Sequence, residues 1–247
     1  MTVRMVGMRW LLATALGVIT MAIGASAAAA QDELPGVSLG LVYANSYLPA
    51  LAVQPFTGAF GGDMISPQVE AIVGRDLRNS DRFEVIDSLP DALVGSQVDY
   101  ALWDRLGAVW LVTGEVEGAG DGYMLILELH DVVYGEVRDR GRFRLPSEDD
   151  DDFRMAVHRT SDEIVRWATG DPGMAASRIA FTMLGSDGNK EVYVIDSDGE
   201  NLEQVTDYNS LTESPTWSPD GSRLALASWK TGVPRIYEVD RFGNELR

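Results

Sequence analysis

Hydrophobic and polar positions keep a helical rhythm in three stretches of the first 170 residues and lose it afterwards. Ile65, Val69, Ile72, Val73 and Leu77 recur three and four residues apart, which predicts an amphipathic helix over 66–78. Ser66 is placed to cap it and Pro67 to occupy its first turn. Phe153, Val157, Ile164, Val165 and Ala168 repeat the pattern in a helix opened by Asp149–Asp152 and ended at Thr169-Gly170. A shorter helix is expected over Tyr100–Leu106, stopped by Gly107. Between the helices lie short apolar or alternating runs that read as strands: Leu51–Phe56, Phe83–Asp87, Val109–Thr113, Tyr123–Leu129 and Glu136–Arg144. The last alternates charge and suits a sheet edge, where charged side chains blunt further pairing. Gly58, Gly61 and Gly62 read as a loop. Interleaved in this order, the elements favour a mixed α/β domain over 51–172 rather than a doubly wound parallel sheet.

Beyond residue 173 the pattern repeats itself. Arg178-Ile-Ala-Phe181 aligns with Arg223-Leu-Ala-Leu226 at an offset of 45 residues, and Val192-Tyr-Val-Ile-Asp196 aligns with Ile236-Tyr-Glu-Val-Asp240 at 44. Asp198-Gly199 falls against Phe242-Gly243. A period of about 40–45 residues built from short strands and glycine turns is the signature of β-propeller blades, of which about 4–8 close a ring. Residues 173–247 are therefore expected to form about one and a half blades of an incomplete propeller, with the chain a C-terminally truncated fragment. Trp217, Arg178 and Arg223 sit at strand starts and read as blade scaffold.

The first 30 residues carry a different signal. Arg4 and Arg9 precede an apolar run from Trp10 to Ile23, and Ala28-Ala-Ala30 offers a cleavage site before Gln31. The run is shorter than the ~20 residues of a membrane span, so residues 1–30 read as a signal peptide cut between Ala30 and Gln31. Export by the Sec route to the periplasm is the expectation. The absence of cysteine excludes a lipidated N-terminal thiol and a disulfide framework. Twenty basic against 38 acidic residues give a formal net charge of −18. That balance argues against nucleic acid and against anionic membrane surfaces, both of which require Lys/Arg patches.

Candidate chemistry is sparse. No Walker loop or dinucleotide fingerprint occurs, and no thiol nucleophile is available. Asp196-Ser-Asp-Gly199 has the look of a calcium loop, but its glycine falls fourth rather than sixth and position twelve would be Asp207. A turn between blade strands explains it better. Asp149–Asp152 reads as a solvated helix start. His130 and His158 are the only histidines and stand on different elements, which suits packing or surface roles. No catalytic, cofactor-binding or metal-binding residue is assigned, and no cofactor is expected.

A family resemblance joins these pieces. It runs through Leu51-Ala-Val-Gln-Pro-Phe56, Ile72-Val-Gly-Arg-Asp-Leu77 with Ser80 and Phe83, and Asp99-Tyr-Ala-Leu-Trp103 with Gly107-Ala108. It continues through Leu111-Val-Thr-Gly-Glu-Val116, Leu129-His-Asp-Val132, Ala156-Val-His158 with Ser161-Asp162, Thr169-Gly170 and Ser177-Arg-Ile-Ala180. In order and spacing these residues resemble the TolB family of the Tol–Pal system. The resemblance implies an α/β domain followed by a six-bladed propeller, and a non-enzymatic adaptor. It further implies that the propeller docks the Pal lipoprotein and that an N-terminal arm engages TolA. The assembly would support outer-membrane invagination at division and outer-membrane integrity, and in some bacteria bacteriocins exploit it. Here the arm would span residues 31–50. Val37, Ser38, Leu39, Gly40, Leu41, Val42 and Tyr43 would be its contact residues, polar and apolar in alternation and able to add as a strand to a partner sheet. Two other readings stay open: the propeller of an exported serine peptidase whose catalytic domain lies elsewhere, and a generic ligand-binding propeller.

Overall fold

The computed structural model describes residues 47–86 and 97–247. The expected arm residues Val37–Tyr43 and the cleavage pair Ala30 and Gln31 lie outside them.

The first region is a mixed sheet covered by helices. Strand β1 (Ala50–Val53) runs parallel to β3 (Glu84–Ile86) on one side and to β4 (Trp110–Ala119) on the other. β4 then leads into an antiparallel meander with β5 (Gly122–Asp131) and β6 (Glu136–Leu145), so the order is β3-β1-β4-β5-β6 with β6 at the edge. At ten residues β4 is long enough for β1 to pair with its start and for β2 (Thr57–Ala59) to pair with Glu115–Glu117. Helices α1 (Ser66–Asn79) and α3 (Phe153–Thr169) cover one face of the sheet. Leu51, Val53, Val112, Val116, Leu125, Leu127 and Leu129 meet Val69, Val73, Leu77, Val157 and Ile164 there in one dry core. On the other face the short α2 (Tyr100–Arg105) brings Trp103 over Ala52 and Leu111. Leu51 and Val53 face one way and Ala52 the other, as the two-residue pleat demands.

Three local expectations are corrected. Gly58 belongs to β2 rather than to a loop, because the long β4 offers unpaired backbone that an otherwise unpatterned segment can join. Ser66 does not cap α1: Ile65 holds the N-cap position without a side-chain bond, and the Ser66 hydroxyl donates to the Asp63 carbonyl. The chain is already wound before Ser66, whose amide donates to the Gly62 carbonyl at 3.0 Å. Asp149–Asp151 lie in a turn ahead of α3, and only Asp152 reaches its N-cap position, again without a side-chain cap. The C-terminal stop is as expected: Gly170 is left-handed at φ 81°, and its amide donates to the Arg166 carbonyl at 2.8 Å. The mid-strand Gly114 has a packing role, since a Cβ there would stand 2.7 Å from the Phe56 ring laid across it.

The second region is two three-stranded antiparallel sheets. β7 (Arg178–Leu184), β8 (Lys190–Asp196) and β9 (Glu203–Gln204) make the first; β10 (Thr212–Trp217), β11 (Arg223–Ser228) and β12 (Arg235–Asp240) make the second. The sequence repeat maps β7 onto β11 and β8 onto β12, and both pairs keep one register: Arg178 opposite Asp196, Arg223 opposite Asp240. Asp196–Gly199 and Asp240–Gly243 close equivalent turns through Gly199 (φ 86°) and Gly243 (φ 85°). Val192, Val194, Val205, Leu224, Leu226, Tyr237 and Val239 form an apolar core shared by the two sheets, with Trp217 packed at its margin.

Candidate functional site

Among the described residues, a cluster of ionisable side chains, with Asp76, His158 and the Asp198 carboxylate buried, lies where the α/β region meets the first blade sheet. Helix α1 presents Arg75 and Asp76, helix α3 presents Arg154 and His158, and the turn after β8 presents Asp198 and Glu200. Asp76 and His158 lie one on each helix, and the packing of α1 against α3 brings them together. The His158 Nδ1 lies 2.8 Å from Asp76 Oδ2. Its Nε2 has no hydrogen-bond partner and points across the joint to Asp198 Oδ2 at 3.8 Å. Arg154 pairs with the same carboxylate oxygen, and Arg75 Nη1 stands 3.4 Å from it and 3.4 Å from Glu200 Oε1. The other Asp198 oxygen accepts the Glu200 amide at 3.2 Å.

The Asp198 side chain is 1% exposed. Burial alone would raise its pKa, yet the Glu200 amide, the Arg154 guanidinium and His158 outweigh that and hold it below its ordinary value of 3.8. Further ion pairs lie beside the cluster, within the first blade sheet and across the joint. Arg178 Nε bonds Asp196 at 3.1 Å, and Asp152 lies 3.8 Å from Arg178 and 4.0 Å from Arg241. Asp162 accepts the amides of Ala175 and Ala176 at 2.7 and 3.0 Å, fixing the connecting segment.

His158, Asp196 and Asp198 are close enough to suggest a cation site, with ligand atoms within 4.8 Å of one another. Their oxygens are already committed. Asp196 accepts from Arg178 and Asn201, and Asp198 from Arg154, Arg75 and Glu200. A divalent ion would have to enter beside three guanidinium groups, so the arrangement fits an ion-pair cluster and not a metal centre. The other histidine, His130, is held between Tyr100 Oη (3.0 Å) and Thr113 Oγ1 (3.1 Å). Burial pushes its pKa down, and it ties α2 to the sheet.

The sequence reading placed the Asp196–Gly199 turn correctly but missed what Asp198 does there, and it gave His158 an ordinary role. Arg75 and Arg154 were not singled out. The only available signal was an excess of Arg and Asp on the faces of two otherwise amphipathic helices.

Residues 43–137 match the family model described as the TolB amino-terminal domain. The chain is 34% identical over 210 residues to the Tol-Pal system protein TolB of Albidiferax ferrireducens, an alignment covering 84% of this chain and 46% of that protein. It is 33% identical over 198 residues to the same-named protein of Methylococcus capsulatus, with 76% and 44% covered. The crystal structure of TolB from Acinetobacter baumannii superposes with a TM-score of 0.69 at 28% identity, over 81% of this chain and 49% of that one. The chain belongs to the TolB family. It spans about half the length of the curated relatives it matches. In TolB terms, the ion cluster sits at the junction of the amino-terminal domain and the first propeller-like sheet.

Proposed function

We propose that this TolB-family chain is a non-enzymatic periplasmic adaptor of the Tol–Pal system. Its N-terminal arm, Val37–Tyr43, engages TolA, and the propeller to which its blade sheets belong, six-bladed in this reading, docks the Pal lipoprotein. Through both it supports outer-membrane invagination during division and outer-membrane integrity. The observation carrying this reading is the succession, in one chain, of a TolB amino-terminal domain and two sheets in blade register. The buried carboxylate of Asp198 is held by side chains of the α/β region, a contact between regions that suits a scaffold.

The test uses the chain from Gln31 onward, with the periplasmic domain of TolA immobilised. Saturable binding that disappears when Val37–Tyr43 is replaced by a Gly/Ser segment is expected. Absence of binding by the folded, intact chain would overturn the TolA assignment. Binding that survives replacement of the arm would move the contact elsewhere and overturn the role given to Val37–Tyr43.

A further inference from the structure

The apolar clusters of the described residues stop on either side of the joint. One lies between the mixed sheet and helices α1 and α3, one beneath α2, and one between the two blade sheets; none includes residues of both regions. The ion pairs that cross among the described residues include Arg75–Asp198, Arg75–Glu200, Arg154–Asp198, His158–Asp198, Arg178–Asp152 and Arg241–Asp152. Asp198 accounts for three of these six, and its carboxylate is the buried one. A buried ion pair returns little net stability because both charges give up water, but breaking it from one side leaves an uncompensated charge. Such a contact therefore fixes a geometry firmly while it is made, without the broad attraction of an apolar interface.

From this we infer that Asp198 is a latch. Its carboxylate, delivered by the turn after β8, enters the Arg75–Arg154–His158 recess of the α/β region and sets the orientation of the two regions. When it is withdrawn, they hinge apart about residues 170–177. Those residues have the make-up of a hinge. Gly170 is left-handed, Pro172 and Gly173 follow, and Met174 is 79% exposed. The segment is tied to α3 through Asp162 and to the first blade sheet through Ser197, which donates to the Ala175 and Ser177 carbonyls. The unpartnered His158 Nε2 fits a contact with two settings, since a shift of about 1 Å in the turn would bring Asp198 within hydrogen-bond range of it. The latch is argued from the joint alone and stands or falls independently of the adaptor role.

Because the sequence contains no cysteine, two introduced thiols can be labelled cleanly. Met64→Cys and Val233→Cys, both at exposed positions on opposite sides of the joint, report the distance between the regions by pulsed electron spin resonance. The latched chain should give one narrow distribution. Asp198→Asn should broaden it and accelerate proteolytic cleavage at Met174 about tenfold, one decade in an opening equilibrium, while near-ultraviolet circular dichroism shows both regions still folded. A merely structural residue would change the dichroism without broadening the distribution of the folded molecules. Should Asp198→Asn fail to fold, Arg75→Gln, which removes a half-exposed member of the same recess, should broaden the distribution in the same sense. An unchanged distribution and cleavage rate in a folded Asp198→Asn, or in Arg75→Gln where the first does not fold, overturns the latch.

Discussion

The described residues contain two joints built on opposite principles. Between the blade sheets, Val192 and Val194 meet Leu224, Leu226, Tyr237 and Val239 in a dry interface. Between the α/β region and the first blade sheet, Arg75, Arg154 and His158 surround Asp198. An apolar interface gains roughly in proportion to area and tolerates sliding; an ion cluster gains little net energy but is sharply directional. The first therefore acts as permanent structure and the second as a positioning device. That difference suits repeating units that must stay stacked, beside a domain whose orientation to them can be set and reset.

The largest expected effect breaks the apolar side. Leu226→Asp should unfold both blade sheets by placing a lone carboxylate in their shared core, and Leu226→Ala should cost about 2–5 kcal/mol. Denaturant titration followed by Trp217 and Trp229 fluorescence would read this. The α/β core should keep its own transition, because no apolar cluster spans both regions. A single transition lost as one unit would erase the contrast between the joints.

Next comes the charged side. Arg154→Met should cost about 3 kcal/mol, the penalty of breaking a buried pair from one end. Adding Asp198→Leu should recover most of that, since an apolar pair of similar volume is often neutral or stabilising in such a place. A double-mutant cycle measures the recovery. If the double variant is no better than the sum of the singles, the cluster is not a coupled unit.

Acid should act on one joint and spare the other. The folded-state pKa of Asp198 is depressed, so its contribution is present above the unfolded carboxylate value and is lost as pH falls through the lower folded one. The distance between labels at positions 64 and 233 should hold from pH 7 to about 4 and broaden below that. Asp198→Asn should flatten the profile. The apolar joint has no carboxylate or imidazole among its core members, so the spacing of the two blade sheets should persist longer on acidification.

How much of this was legible beforehand follows from the same contrast. Apolar contacts leave a periodic trace. Val69, Ile72, Val73 and Leu77 announced α1, and the offset of Arg178–Phe181 from Arg223–Leu226 announced the equivalent strands of the two blade sheets. Directional polar contacts leave none. Asp76, Arg154, His158 and Asp198 are scattered over more than a hundred residues, and each has a local reading, as helix surface or turn, that hides its partner. Gly58 failed for a related reason: β2 exists because β4 has a free edge beside it, a fact held in the length of another strand. The end of α3 at Gly170 was legible because a left-handed helix stop favours glycine.

The smallest effect tests whether burial, rather than charge itself, makes the ionic joint. Arg82 pairs with Asp171 at 3.3 Å where the connecting segment leaves α3, so it too reaches toward the hinge. Its chemistry matches that of Arg154–Asp198, but the two side chains are 47% and 61% exposed. In water the attraction is screened and both partners keep their hydration, so an exposed pair contributes about 0–1 kcal/mol. Arg82→Gln should therefore lower stability by less than about 0.5 kcal/mol, and 0.5 M salt should abolish even that. The distance distribution between the two regions should not change. If Arg82→Gln broadens it as far as Asp198→Asn does, the orientation is set by the overall charge balance around the hinge, and the buried recess holding Asp198 loses its special standing.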